Sequence, residues 1–184
     1  MVSTIIGLNI LKSGHQPARF AKEGRKMEVA IDNRQSRHKI PLKTIKHQVQ
    51  VILDALDCPD GEISILIVDD PQIEDLNRKY LNREGPTNVI AFAMREGEFS
   101  DLSPHLLGDV VISADTAARE AQIAATSTER RFSELLVHGI LHLMGFDHET
   151  SETDARVMED RSRELLELIG NDDCRMKNEG ILSI

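Results

Sequence analysis

The stretch Thr126-Ser127-Thr128-Glu129-Arg130-Arg131-Phe132-Ser133-Glu134-Leu135-Leu136-Val137-His138-Gly139-Ile140-Leu141-His142-Leu143-Met144-Gly145-Phe146-Asp147-His148 decides how this chain folds. Phe132, Leu135, Leu136, Ile140, Leu143 and Met144 recur at helical spacing and predict one apolar stripe. Thr126 and Glu129 have the spacing of a capping box, with Thr126 as the cap. His138 and His142 are four residues apart, which puts both imidazoles on one helical face, one turn apart. A helix apolar over a wide arc, with a polar line besides, belongs at the centre of its domain. Gly145 predicts the end of the helix, because glycine adopts the left-handed conformation that stops one. The turn Gly145-Phe146-Asp147 then swings His148 back toward the first two rings.

Three neutral imidazoles converging on one point, with the fourth corner left to water, make a catalytic zinc site. A bare His-x-x-x-His also arises by chance among core and surface residues. The third histidine after a helix-ending glycine is what selects the metal reading. The spacing fits the peptidase pattern His-Glu-x-x-His-x-x-Gly-x-x-His at every position but one. That pattern takes its general base from the residue after the first histidine. Here it is Gly139, with no side chain to serve.

The three histidines have company elsewhere in the chain. His-Gly-x-Leu-His-Leu-x-Gly-Phe-Asp-His closely resembles the signature of the YbeY family, bacterial zinc-dependent endoribonucleases of ribosomal RNA maturation. Pro86-Thr87-Asn88-Val89-Ile90-Ala91-Phe92 and Leu107-Gly108-Asp109-Val110-Val111-Ile112-Ser113 agree with it in order and spacing. The resemblance runs from about Met27 to about Gly170. It implies an α+β fold and one zinc ion per chain on His138, His142 and His148. It also implies hydrolysis of single-stranded rRNA precursors in the cytoplasm, in rRNA maturation and ribosome quality control. The partners implied are ribosomal subunits or proteins, with no DNA and no membrane. Family members carry an arginine directly after the tyrosine that precedes the Pro-Thr block; here Leu81 follows Tyr80. Arg83 is the nearest candidate for the catalytic cation, and Arg78 is the other.

Composition sets the outer bounds. A chain of 184 residues reads as one domain with room for a sizeable core. Aromatic residues make up only 3%, which argues against a nucleic-acid reader built on stacked rings. The net charge of −9 argues against nonspecific nucleic-acid binding over the whole surface. Charge is uneven, however: Arg19 to Lys46 holds nine basic and three acidic residues. That stretch either attracts phosphates or forms a solvated face. Cys58 and Cys174 are distant, belong to no Cys-x-x-Cys motif and read as thiols of a reducing compartment. No apolar run approaches the length of about 18 residues that a membrane span needs.

Along the chain, residues 1–26 read as a basic, poorly ordered extension, 27–170 as one catalytic metallohydrolase domain, and 171–184 as a polar tail. Met27 is an alternative natural start. Strands are predicted at Glu28 to Asn33, Ile63 to Val68, Asn88 to Met94 and Gly108 to Ser113. Helices are predicted from Pro41 to about Asp57 and from Asp69 or Asp70 to about Leu81. Three more run from Ser113 or Asp115 to about Ala125, through the histidine stretch, and from Ser151 to Ile169 with Gly170 as the stop. Arg95 to Pro104 reads as a polar loop. The fold expected is α+β and zinc-hydrolase-like: a small mixed four-stranded sheet packed on about five helices, the central one carrying the metal ligands.

Several polar residues have two readings. Thr87 and Asn88 either donate to substrate or close a turn. Asp147 either orients an imidazole or caps the turn after the helix. Glu134 is a proton acceptor or the ion-pair partner of Arg130 or Arg131. Asp109 reads as structural, and His15, His38, His47 and His105 as ordinary histidines. Three functions follow: a metal-dependent endoribonuclease; a zinc peptidase, disfavoured by Gly139; and a non-enzymatic zinc domain binding a ribosomal partner. An open fourth corner disfavours the last, because structural zinc sites fill all four positions.

Overall fold

A computed structural model describes residues 29–94 and 105–178. The expected extension over 1–26 and the expected loop over 95–104 lie outside the described residues. Four strands form one mixed sheet: β1 (Val29–Asn33), β2 (Glu62–Val68), β3 (Val89–Ala93) and β4 (Leu106–Ser113). Their spatial order is β1-β2-β4-β3; β1, β2 and β4 run parallel, and β3 is antiparallel to β4. The inner strands β2 and β4 bury Ile65, Ile67, Val110 and Ile112 on one face and Val68 and Val111 on the other, as strands covered from both sides do.

Helices α1 (Leu42–Ala55), α2 (Asp70–Leu81), α3 (Ala114–Ile123), α4 (Thr128–Leu143) and α5 (Glu152–Asn178) complete the fold. The main core lies on one face of the sheet, where Ile65, Ile67, Val110 and Ile112 meet Ile52 and Leu53 of α1 and Leu136 and Ile140 of α4. A smaller core on the opposite face sets Val68, Ile90 and Val111 against Ile73 of α2, with Leu81 packed beside them. The helix α4 touches β3, β4, α1, α3 and α5, which makes it the centre of the domain as its wide apolar arc requires. Leu136, Ile140 and Leu141 are fully buried, each worth about 1.5–3 kcal/mol relative to exposure.

Two sequence expectations shift. Ser127, not Thr126, caps α4, accepting from the Arg130 N–H at 3.0 Å. The Thr126 N–H instead donates to the Ala121 carbonyl and closes α3, after Ala125 turns left-handed at φ 52°. And α5 does not stop at Gly170 but continues to Asn178. Its added turns are held by tertiary bonds: Asp172 pairs with His47, and Asp173 accepts from Gln48 at 2.7 Å. Among the described residues no helix is long and apolar enough to cross a membrane.

The ends of β2 and β4 are tied together by Asp70 at the start of α2. Ser113 and Thr116 donate to its carboxylate at 2.5 and 2.6 Å, and Arg119 at 2.8 Å. Burial pushes the Asp70 carboxyl up, but those bonds outweigh it and hold it below the usual carboxylate range. His38 pairs with Asp115 in the same cluster, at 2.8 Å. His38 and His47 are thus each engaged with a carboxylate, Asp115 and Asp172.

Candidate metal centre

The centre is built by the way α4 ends. Gly145, at φ 86°, donates to the His142 carbonyl, and Phe146 donates to the Leu141 carbonyl. These two bonds satisfy carbonyls that a helix end otherwise leaves bare, and they reverse the chain. Asp147 then fixes the turn, accepting from the Glu149 N–H at 2.8 Å and from the Thr150 hydroxyl at 2.9 Å. Those bonds hold its carboxyl below the ordinary range, so Asp147 shapes the turn that delivers His148.

His138, His142 and His148 converge as their spacing predicts. Their ligand atoms lie within 4.8 Å of one another. Ring centroids are 4.6 Å apart for His138 and His142, 5.3 Å for His138 and His148, and 5.2 Å for His142 and His148. The Nε2 atoms of His138 and His142 face each other at 3.0 Å, and His142 Nδ1 and His148 Nε2 are buried with no hydrogen-bond partner. Two ring nitrogens at that separation need a proton or a cation between them. Burial, then the neighbouring His142 and His148 and the Arg131 guanidinium, push His138 down to about 3. Burial and His148 also lower His142 against the pull of Asp147. The charged imidazolium forms are therefore disfavoured, and the cluster is suited to hold a metal ion through neutral nitrogens.

Gly139 faces away from the imidazoles and into the sheet. A Cβ there would lie 2.6 Å from Val110 Cγ1 and 3.3 Å from Val89 Cγ2. The peptidase base is thus missing for a steric reason: this helix position is where α4 touches β3 and β4. A glutamate side chain has no room on that side.

The N-terminal half of α4 carries a chain of ion pairs. Asn88, buried ahead of β3, donates to Glu120 at 3.1 Å. Glu120 accepts from Arg131 Nε at 2.9 Å, and Arg131 Nη1 donates to Glu134 at 2.9 Å. Glu134 also accepts from Arg130 Nε at 3.1 Å. Asn88 and Glu134 are therefore engaged with protein partners. The sequence offered no sign of Glu120 in this role, because the contacts join residues on three separate elements.

Leu81 packs in the smaller core and is no substitute for a cation. Arg83 is exposed in the loop after α2, its guanidinium unpaired among the described residues. Arg78 pairs with Asp75 at 2.5 Å on the surface of α2. Asp109 lies in β4 opposite Phe92 and Ser64, a sheet position.

A family model described as Endoribonuclease YbeY matches residues 30–170. A Syntrophotalea carbinolica protein named Endoribonuclease YbeY is 54% identical over 138 residues, covering 74% of this chain and 92% of the relative. A Geobacter sulfurreducens protein of the same name is 51% identical over 146 residues, covering 79% of this chain and 97% of the relative. A solution structure from Thermotoga maritima aligns with a TM-score of 0.59 over 82% of this chain and 95% of that one. At 21% identity it supports the fold alone.

Proposed function

This chain belongs to the YbeY family of endoribonucleases, which act in rRNA processing, and we propose that His138, His142 and His148 hold the one zinc ion its RNA hydrolysis requires. The observation that carries this reading is the convergence of three imidazoles, with His142 Nδ1 and His148 Nε2 buried and without a hydrogen-bond partner. A zinc ion held there would supply Lewis acidity and a nucleophilic hydroxide near neutral pH. The protein's share is to keep His138 and His142 unprotonated through burial, and to fix His148 through the Gly145 turn and the Asp147 cap. Charge growing on the phosphoryl oxygens calls for a cation nearby. We assign that role to Arg83, whose guanidinium is unpaired among the described residues and whose loop leads to Thr87.

The reading extends to a substrate: single-stranded rRNA precursors, met in the cytoplasm near ribosomal subunits or proteins. The catalytic domain begins near residue 27 and takes in α5 to Asn178, with 1–26 ahead of it. A peptidase reading finds no support, because position 139 is closed by the sheet.

The test pairs metal content with cleavage of a single-stranded RNA spanning a precursor rRNA end. Stoichiometric zinc and cleavage in the wild type, both lost in His142→Ala, is the expected result. Zinc without RNA cleavage in the wild type would overturn the reading. Arg83→Ala should lower cleavage at unchanged zinc content, and equal cleavage would discard that residue's role.

A further inference from the structure

Two hollows beside α4 meet at one arginine. The first, of about 430 Å³, is lined by His138 and His148, by Arg130, and by Glu159 and Ser162 of α5. The second, of about 470 Å³, lies between α1, the first turn of α4 and α5, over an apolar floor that includes Ile40, Ile45, Phe132 and Ile169. Arg130 and Leu166 line both. The hollows therefore adjoin across these two side chains, as a groove in two parts that starts at the imidazoles and ends beside Lys39.

Arg130 is poised in this groove. Its Nε donates to Glu134, while its terminal amino groups have no partner among the described residues. A guanidinium pinned at Nε presents its remaining donors as a fork, the geometry that matches a phosphate. Arg163 faces the first hollow too, but its guanidinium is paired with Asp160 at 3.0 Å. Glu159, Glu167 and Asp173 line the α5 wall and repel a polyanion; on α4, Glu129 lines only the second hollow, which leaves Arg130 to receive a phosphate at the first. The second hollow falls within the range of small-ligand sites, about 300–1,000 Å³.

We propose that this groove holds the RNA strand flanking the scissile bond, with Arg130 on the neighbouring phosphate and that nucleotide's base in the apolar hollow beyond. The proposal rests on the three histidines being the catalytic centre. The base is held by burial against an apolar floor that is aliphatic except for Phe132.

Steady-state cleavage of one single-stranded RNA, and of two versions trimmed to the scissile bond from either side, tests it. With the full-length strand, Arg130→Ala should raise KM about tenfold, at unchanged metal content. Thr44→Trp, which fills the second hollow from a half-buried position on α1, should do the same. On the strand trimmed on the side that the groove holds, both penalties should shrink to less than about twofold. Binding of an uncleavable 2′-O-methyl strand should show a salt slope smaller by about 0.7 in Arg130→Ala. Penalties equal on all three strands, or absent from all three, overturn the groove while leaving the metal centre standing. A wild type that cleaves no RNA overturns the centre itself, and that outcome is read before any variant is made.

Discussion

The two ends of α4 treat polar groups in opposite ways. At the N-terminal end Arg130 and Arg131 each find a carboxylate, Glu120 binds both Arg131 and Asn88, and Glu134 binds both arginines. At the C-terminal end three imidazoles crowd together, two buried nitrogens lack partners, and the Nε2 atoms of His138 and His142 face only each other at 3.0 Å. A buried polar atom without a partner costs about 1–3 kcal/mol. A fold that leaves several in one place is arranged for something that arrives later. The contrast separates polarity that supports the structure from polarity that serves chemistry, on a single helix of 16 residues.

The contrast breaks if the two ends respond alike to mutation. The largest effect belongs to His142→Ala, which should cut metal binding and RNA cleavage by at least about a hundredfold while the protein stays folded by circular dichroism. Gly139→Glu comes next, because it drives a carboxylate into Val110 and Val89. Urea denaturation should show a loss of about 3 kcal/mol or more, or no folded protein at all. Glu120→Ala, at the paired end, should cost about 1–3 kcal/mol while metal binding remains that of the wild type. Loss of metal binding there would join the two ends into one functional unit.

The most gradual effect is that of pH on the metal-free protein. His138 is held down to about 3, whereas an ordinary histidine takes its proton near 6.5. Between those values the unfolded chain binds a proton that the folded one refuses. Stability is therefore full above about pH 6.5 and falls as pH drops toward 3. Denaturant midpoints across that window should decline, and His138→Gln should flatten the decline. An unchanged slope in the variant would mean that His138 is not desolvated.

How far the sequence could be read follows the same division. The convergence of His138, His142 and His148 was legible because it depends on local rules alone: helical spacing, a glycine stop and a short turn. The sheet and its helices were legible from periodicity and caps. The Thr126 cap was misplaced by one residue because Thr126 and Ser127 are chemically alike, and only the closing of α3 distinguishes them. The continuation of α5 past Gly170 was hidden because its support comes from His47 and Gln48, more than a hundred residues earlier. Gly139 could be seen to lack a side chain, but that the sheet forbids one could not, since Val110 and Val89 reach it only in the folded chain. The Glu120 network was out of reach for the same reason.

Gly139 has a consequence for what this protein can become. A single nucleotide change turns a GGA or GGG glycine codon into one for glutamate, and here that would complete the peptidase motif at the level of the gene. The contact of α4 with Val110 and Val89 makes that step a dead end, because the motif would be written into a helix that no longer seats on its sheet. The two activities are therefore neighbours in sequence space with no direct path between them. Crossing from one to the other would require the sheet to shrink first, at Val110 and Val89, before the new base could be tolerated.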